Sequence, residues 1–174
     1  MATLYVDTGD ERLKEHGNHT AFHMHTVATF ATATGQLNGT TRTESHYDLR
    51  GFTGGVQAFL VDANSNVIYM SQVYQYEVKG RWVPGGSPAR DDQWNEQIDP
   101  GKSSKAVALH IVQFEDPDNH LLPILESLPN IIVGGTQTWN NILQALCEAF
   151  PDLSPCCSCK YTACHMLERS VAYP

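Results

Sequence analysis

One stretch near the middle of the chain constrains the fold more than any other. Two runs rich in β-branched and aromatic residues, VQAFLV and VIYMSQVYQYEV, flank the polar cluster from Asp62 to Asn66. Runs of this kind around a short group of Asp, Asn and Ser residues are typical of a β-hairpin. Asparagine tolerates the left-handed backbone conformation that such a loop requires. We therefore predict two antiparallel strands joined at this position.

Segments before the hairpin show the same period of two. In AFHMHTVATFATAT, apolar residues of one parity share a face of a strand: Phe22, Met24, Ala28 and Phe30. In TTRTESHYDL, charged or polar positions alternate with Thr, Ser, Tyr and Leu, as in a half-exposed strand. We expect a turn from Gly35 to Gly39 and a break at Gly51, Gly54 and Gly55, because glycines punctuate such patterns.

The sequence after the hairpin changes character twice. Residues 79–92 form a loop by composition, whereas DQWNEQI and KAVALHIVQF are candidate strands, the latter covered on both faces. Two helices follow, one within residues 116–129 and one from 138 to about 150. The second has an apolar face at 3–4-residue spacing, made of Trp139, Ile142, Leu143, Leu146 and Phe150.

These patterns together predict a mainly β protein. Short strands separated by turns and followed by helices are typical of an antiparallel β-sandwich, with a β-barrel as the alternative, and a short C-terminal helical segment. We divide the 174 residues into an N-terminal arm over 1–20, a sandwich domain over 21–115 and a helical, Cys-rich tail over 116–174, packed on or beside the sandwich. A chain of this length buries enough surface to fold as one domain with an appendage.

The charge balance narrows the possible partners. Nineteen acidic residues against eleven basic ones give a formal net charge of -8, which disfavours nucleic acid and broad anionic membrane surfaces, because both attract basic faces. No apolar run approaches the roughly 20 residues that span a bilayer. The polar start MATLYVDTGDERLKEH lacks the apolar core of a signal peptide. We expect a soluble, cytoplasmic protein by default, with leaderless export left open.

The first candidate for chemistry is His23-Met24-His25. Residues two apart on a strand project from one face, so the two imidazoles lie side by side, and histidine is the commonest metal ligand. His46 is a possible third ligand, and the metal would be zinc or another divalent ion. The alternative is that both rings are surface side chains on a polar strand face.

The second candidate is a cysteine cluster. All five cysteines lie near the C-terminus, which is unlike a disulfide scaffold. Cys156, Cys159, Cys164 and His165 would supply four zinc ligands, although their spacing differs from the usual pair of separated ligand units. We favour free thiols in a tail, or local disulfides formed on exposure to air, over a metal site.

The third candidate is an aromatic and charged segment in and beside the Gly- and Pro-rich loop. Tryptophan next to arginine and carboxylate side chains is typical of recognition surfaces. The candidate ligand-binding residues are Tyr74, Tyr76, Arg81, Trp82, Arg90, Asp92 and Trp94. The alternative places Trp82 and Trp94 in the core at the ends of the sandwich, as is common for large aromatic residues.

None of the familiar catalytic or phosphate-binding motifs occurs in the sequence. We therefore expect a non-enzymatic binding or assembly module that takes a small ligand, a glycan or a protein partner and forms a homo-oligomer. The alternative class is a metal-binding protein or metal-dependent enzyme that uses the His-x-His pair. Stoichiometric metal that disappears when both histidines are replaced would favour this second class.

Overall fold

The computed structural model describes residues 2–9, 11–16, 19–115 and 138–142. In these ranges the chain forms nine β-strands, one short α-helix and a helical turn at 139–142. The elements are β1 Thr3–Asp7, β2 Glu11–His16, β3 His19–Ala31, β4 Gln36–Ser45, β5 Phe52–Val61, β6 Val67–Met70, β7 Tyr74–Val78, β8 Ala89–Gln97, α1 Pro100–Ser103 and β9 Ala108–Glu115. No helix in this described part has the length and apolar character needed to cross a membrane.

The strands form two antiparallel sheets. In the larger sheet, β3 and β4 are central, β8 borders β4, and β1 and β2 lie end to end along the other edge of β3. In the smaller sheet, β5 is central, β9 borders one edge, and β6 and β7 lie end to end along the other. The predicted antiparallel β-sandwich is confirmed, and the described strands do not close into a barrel.

The predicted hairpin consists of β5 and β6, joined by residues 62–66. The Asp62 carboxylate accepts hydrogen bonds from the backbone N–H groups of Asn64 and Asn66, at 2.8 and 2.9 Å, and so closes the turn. These bonds, the one from Asn66 most of all, lower the pKa of Asp62. The residue in the left-handed conformation is Ser65, with φ 63°, and not an asparagine.

Burial along β4 and β5 differs in a way that locates the core. In β4 every second residue is buried between the sheets, and the residues between them are exposed or partly exposed. In β5 all residues from 54 to 61 are buried. The space beside Gly54 is filled by Met24 of the larger sheet, whereas the space beside Gly55 is filled by Phe114. Even-numbered residues of β5 therefore face the larger sheet, and odd-numbered residues face outward.

A second apolar layer lies on that outer side of the smaller sheet. Phe59, Val112 and Phe114 are buried there, although they do not belong to the core cluster between the sheets. The Trp139 ring lies 5.1 Å from the Phe59 ring and stacks on His110 at 4.5 Å with an interplanar angle of 3°. The helical turn that follows the sandwich in sequence therefore covers part of a sheet face.

Residues 138–142 are attached at the hairpin. The Trp139 N–H donates to the Ser65 carbonyl at 2.7 Å, and the Thr138 hydroxyl accepts a bond from Asn141 N at 3.4 Å, as the N-cap residue of a helix does. Trp139 and Ile142 are buried, as the predicted apolar helix face requires. The rest of that face, Leu143, Leu146 and Phe150, and the predicted helix within 116–129 lie outside the described residues.

The segment predicted to be an N-terminal arm is instead part of the larger sheet. Within residues 1–20 the chain supplies β1 and β2, which pair with opposite halves of β3. Edge strands need only one hydrogen-bonded neighbour, so a polar sequence without sustained alternation can still pair. Leu4 is the buried apolar residue that fixes β1 against the core.

The turns and loops of the structure differ from the predicted ones at three places. The turn before β4 covers residues 32–35, with Gly35 at φ 73°, and Gly39 lies inside β4 because the Trp94 indole fills the space of a side chain there. Gly54 and Gly55 continue β5 for the same steric reason. The loop predicted over 79–92 ends at 88, since β8 already begins at Ala89.

Candidate functional site

Five of the seven predicted ligand-binding residues lie where the two sheets meet along β7 and β8. We call this junction the seam and define it by Tyr74, Tyr76, Arg90, Asp92 and Trp94. On each strand these residues share one parity and therefore one face, and the register places both faces toward the space between the sheets, because Tyr76 pairs with Gly54 and Trp94 with Gly39. Tyr74 stacks on Trp94, with ring centroids 5.0 Å apart and planes inclined by 24°.

Arg90 is the most exposed charged group of the seam. Its Nε and Nη2 donate to the two carboxylate oxygens of Asp92 at 2.5 and 2.6 Å, and its guanidinium carbon lies 5.6 Å from the centre of the Tyr76 ring. The bond to Asp92 raises the pKa of Arg90. The Arg90 side chain is 45% exposed and that of Asp92 is 18% exposed, and the remaining nitrogen, Nη1, donates to the Glu77 carbonyl at 3.4 Å.

Trp94 and Tyr76 form the floor of the seam and not its open surface. Both are buried. Trp94 is therefore a core residue, as the alternative to a ligand-binding role predicts. The indole Nε1 donates to the Thr41 hydroxyl at 3.0 Å, which lies 3.0 Å from the Thr26 hydroxyl. Gln113 Nε2 donates to Thr26 at 2.6 Å. This hydrogen-bonded line crosses the core and fixes the orientation of the indole.

Glu96 adjoins the seam, and the sequence pattern does not predict its role there. Its carboxylate accepts hydrogen bonds from the Tyr69 hydroxyl, from the Tyr74 hydroxyl at 2.8 Å and from Gln72 N at 3.0 Å. Burial, together with the nearby carboxylate, raises the pKa of Tyr74 to about 12 and also raises that of Tyr69. Both hydroxyl groups donate to this one carboxylate, which ties β8 to the smaller sheet.

The other two predicted residues, Arg81 and Trp82, lie apart from the seam. They belong to the loop of residues 79–88, which packs against the loop of residues 46–50, and we call these two loops together the loop end. Arg81 N donates to the Tyr47 carbonyl at 2.9 Å and Trp82 N donates to the Asp48 carbonyl at 2.7 Å. The structure thus divides the predicted site into two neighbouring parts.

The loop end is held by its backbone, yet its apolar side chains point into solvent. Lys79 N donates to the Ser87 carbonyl at 3.0 Å and closes the base of the longer loop. Gly80 allows the close approach of the shorter loop, because a Cβ there would collide with backbone atoms of residues 48–50. Trp82 is 70% exposed and Leu49 is 76% exposed. Trp82 is therefore not a core residue.

The histidines of the first metal prediction share a face but have different partners. His25 Nε2 and Asp7 Oδ1 are 2.7 Å apart, whereas the His23 ring stacks on His46 with centroids 4.3 Å apart. His46 Nε2 lies 3.2 Å from Glu44 Oε1. Ring nitrogens of stacked imidazoles point along parallel planes, so they do not converge on one centre. No group of three or more His, Cys, Asp or Glu side chains is placed to hold a metal ion within the described ranges.

The cysteine cluster stays a prediction, since Cys156, Cys159, Cys164 and His165 lie outside the described residues. No protein-family model, no curated protein and no solved structure matches the sequence.

Proposed function

We propose that the protein is a non-enzymatic binding module whose recognition element is the loop between β7 and β8. The observation that carries the proposal is the 70% exposed Trp82 side chain on a loop that backbone hydrogen bonds close and brace. Apolar aromatic surface in water favours association. A loop already held in place loses little conformational freedom when it binds, so less of the binding free energy is lost to ordering.

The seam lies on the two strands that carry this loop. Tyr74, Trp94 and Glu96 hold β8 to the smaller sheet, and the guanidinium of Arg90, which is paired with Asp92 and 45% exposed, lies at the start of β8 next to the loop. Tryptophan and arginine are the residue types that dominate binding free energy at recognition surfaces, and arginine also pairs with carboxylates. A small ligand, a glycan or a protein partner fits this chemistry.

The test uses Trp82→Ala and, as a matched control, Val107→Ala, which removes apolar surface from another exposed position. A panel of glycans and a panel of immobilised peptides are screened with the wild-type protein. We expect saturable binding that weakens at least tenfold in Trp82→Ala and stays unchanged in Val107→Ala. Binding that survives the loss of Trp82, or chemical turnover of the bound compound, would contradict the proposal.

A metal-binding protein or metal-dependent enzyme is the second candidate, and one observation favours it. His46 lies beside His23 and contacts the Glu44 carboxylate, so three side chains of types that ligate zinc or another divalent metal are neighbours, and the stacked rings would have to turn for their nitrogens to converge on a metal. Elemental analysis of the purified wild type and of the His23→Ala/His46→Ala variant separates the candidates. One equivalent of metal per molecule that is lost in the variant would support this class over the binding module.

Self-association remains part of the proposal for the module. The apolar outer face of β5 is buried within the molecule and is not available for association. The exposed Leu49 and Trp82 are the apolar surface that a second copy would contact. Light scattering at high micromolar concentration tests it, and a monomer at that concentration would contradict it.

A further inference from the structure

Among the residues that the structure describes, large apolar side chains are exposed at two places. Leu49 and Trp82 are neighbours at the loop end, while Val107, 50% exposed, lies next to the opposite end of β5. The ten residues of β5 separate these positions by roughly 30 Å, at about 3.3 Å per residue. The loop end is therefore the place where two such side chains come together.

The charge of the loop end is opposite to that of the whole protein. Its two loops contain Arg50, Lys79 and Arg81 against the single carboxylate of Asp48, a local excess of two positive charges, whereas the protein has a formal net charge of -8. All three cationic residues are exposed. The two loops that carry the exposed apolar pair therefore also carry three exposed cations.

Along the sequence of each loop, the cations stand nearer to a strand than the apolar residues do. Lys79 stands at the closed base of the longer loop, followed by Arg81, and Trp82 and Val83 come towards its middle. In the shorter loop, Leu49 precedes Arg50, which leads back toward β5. Exposed apolar side chains next to exposed cations match a bilayer surface, where phosphates lie outside the acyl chains.

We propose that the loop end docks onto an anionic phospholipid surface, with Leu49 and Trp82 inserted at the boundary between headgroups and acyl chains. Arg50, Lys79 and Arg81 then lie at the level of the lipid phosphates. This inference rests on the proposed binding function and names its partner.

The acidity of the rest of the molecule does not prevent this contact. Charges are screened over about 8 Å at physiological ionic strength, so an anionic surface experiences mainly the charges of the end that touches it.

A protein partner fits the loop end less well. The two loops comprise five and ten residues, whereas a stable protein interface uses roughly 20–30 residues on each side. A bilayer needs only a few inserted side chains and cations. Trp82 and Leu49 on separate, braced loops provide such point contacts.

The first experiment is sedimentation of the full-length protein with vesicles of phosphatidylcholine alone and of phosphatidylcholine with about 30% phosphatidylserine, a composition of roughly physiological charge. We expect binding to the anionic vesicles alone, reduced at least tenfold by Leu49→Ala/Trp82→Ala and by Lys79→Gln/Arg81→Gln. The matched controls, Val107→Ala and Lys102→Gln/Lys105→Gln, should bind as the wild type does.

The second experiment uses tryptophan fluorescence. Trp94 and Trp139 are buried and Trp82 is exposed, so a blue shift on adding anionic vesicles and quenching by brominated acyl chains report on Trp82. Trp82→Phe should abolish both signals while it retains part of the binding.

Three outcomes would overturn the inference. These are no binding to the anionic vesicles, equal binding of the Leu49→Ala/Trp82→Ala variant, and equal loss in the Lys102→Gln/Lys105→Gln control. Binding of a glycan or peptide through Trp82 without vesicle binding would keep the binding module and reject the lipid surface. Concentration-dependent dimerisation abolished by Trp82→Ala, without vesicle binding, would assign the loop end to a second copy instead.

Discussion

The two sheets share one core, yet their outer faces are opposite in character. On the larger sheet, the strand register aligns uncharged polar side chains in rows that are open to solvent, including Asn38, Thr40, Gln93 and Asn95. On the smaller sheet, the outer face is apolar and buried, and Trp139 packs on Phe59 and His110. Among the described strands, β5 of the smaller sheet is therefore buried on both faces, whereas β4 of the larger sheet is buried on one face only.

This difference explains why one sequence contains two kinds of strand. A strand with one solvated face alternates, as β4 does, whereas a strand covered on both faces is continuously buried, as β5 is. The pattern of a strand thus reports how many layers cover it. Substitutions on a solvent-exposed polar face should change the free energy of unfolding little, whereas those on a buried apolar face remove packing contacts and should lower it.

Removing Phe59 tests this comparison most strongly. The ring is fully buried against Trp139, so Phe59→Ala removes its transfer free energy and leaves a cavity. We expect the free energy of unfolding to fall by about 3–5 kcal/mol, measured by urea denaturation. The matched change on the larger sheet, Thr40→Ala, should stay within about 0.5 kcal/mol of the wild type. Similar losses in both variants would mean that the outer faces do not differ energetically.

Much of the fold could be predicted from the sequence because it depends on local patterns. The hairpin around Asp62, the strand containing Arg42 and the burial of Trp139 and Ile142 all follow from periodicity and turn residues. Gly39 could not be interpreted this way. It sits inside a strand because Trp94, directly opposite in the register, fills its space, and register is not visible in one strand alone.

The candidate site was predicted only in part for the same reason. The period of two places Tyr74, Tyr76 and Trp94 on matching faces, but it does not reveal that β7 and β8 belong to different sheets that meet. The part played by Glu96 depends on that meeting, since Tyr69 and Tyr74 reach it from the other sheet. Nor does the sequence show that Trp82 is exposed and Trp94 buried, because both stand beside polar residues.

Two adjacent glycines of β5 allow a sharper comparison of the inner and outer faces. A Cβ at Gly55 would collide with the rigid Phe114 ring on the outer side, whereas one at Gly54 would meet mainly the flexible Met24 side chain in the shared core. Overpacking costs about 1–3 kcal/mol where neighbours cannot move, and methionine adapts more readily than a ring. We expect Gly55→Ala to lower the thermal midpoint more than Gly54→Ala. The reverse order would show that the outer layer is the more loosely packed one.

The smallest expected effect concerns the solvent-exposed face of the larger sheet. The Gly9 N–H donates to the Asp7 carboxylate at 2.9 Å, and His25 lies beside it, so the pKa of Asp7 falls below its ordinary value. A carboxyl with a lowered folded-state pKa stabilises the fold fully above its ordinary pKa of about 3.9, and this contribution is lost as pH falls through the folded-state value.

Asp7→Asn should therefore lower stability slightly at pH 6 and hardly at all at pH 2, so its stability changes less with pH than that of the wild type. The Asp7 and His25 side chains are about 40% exposed, at 41% and 38%, so solvent screening keeps the effect below about 1 kcal/mol. Urea midpoints at the two pH values measure it, and added salt should shrink the difference because exposed charges are screened. An unchanged pH dependence in the variant would mean that Asp7 is equally ionised in the folded and unfolded states. A loss of unfolding free energy as large as that of Phe59→Ala would mean that the exposed polar face, too, depends on a single contact.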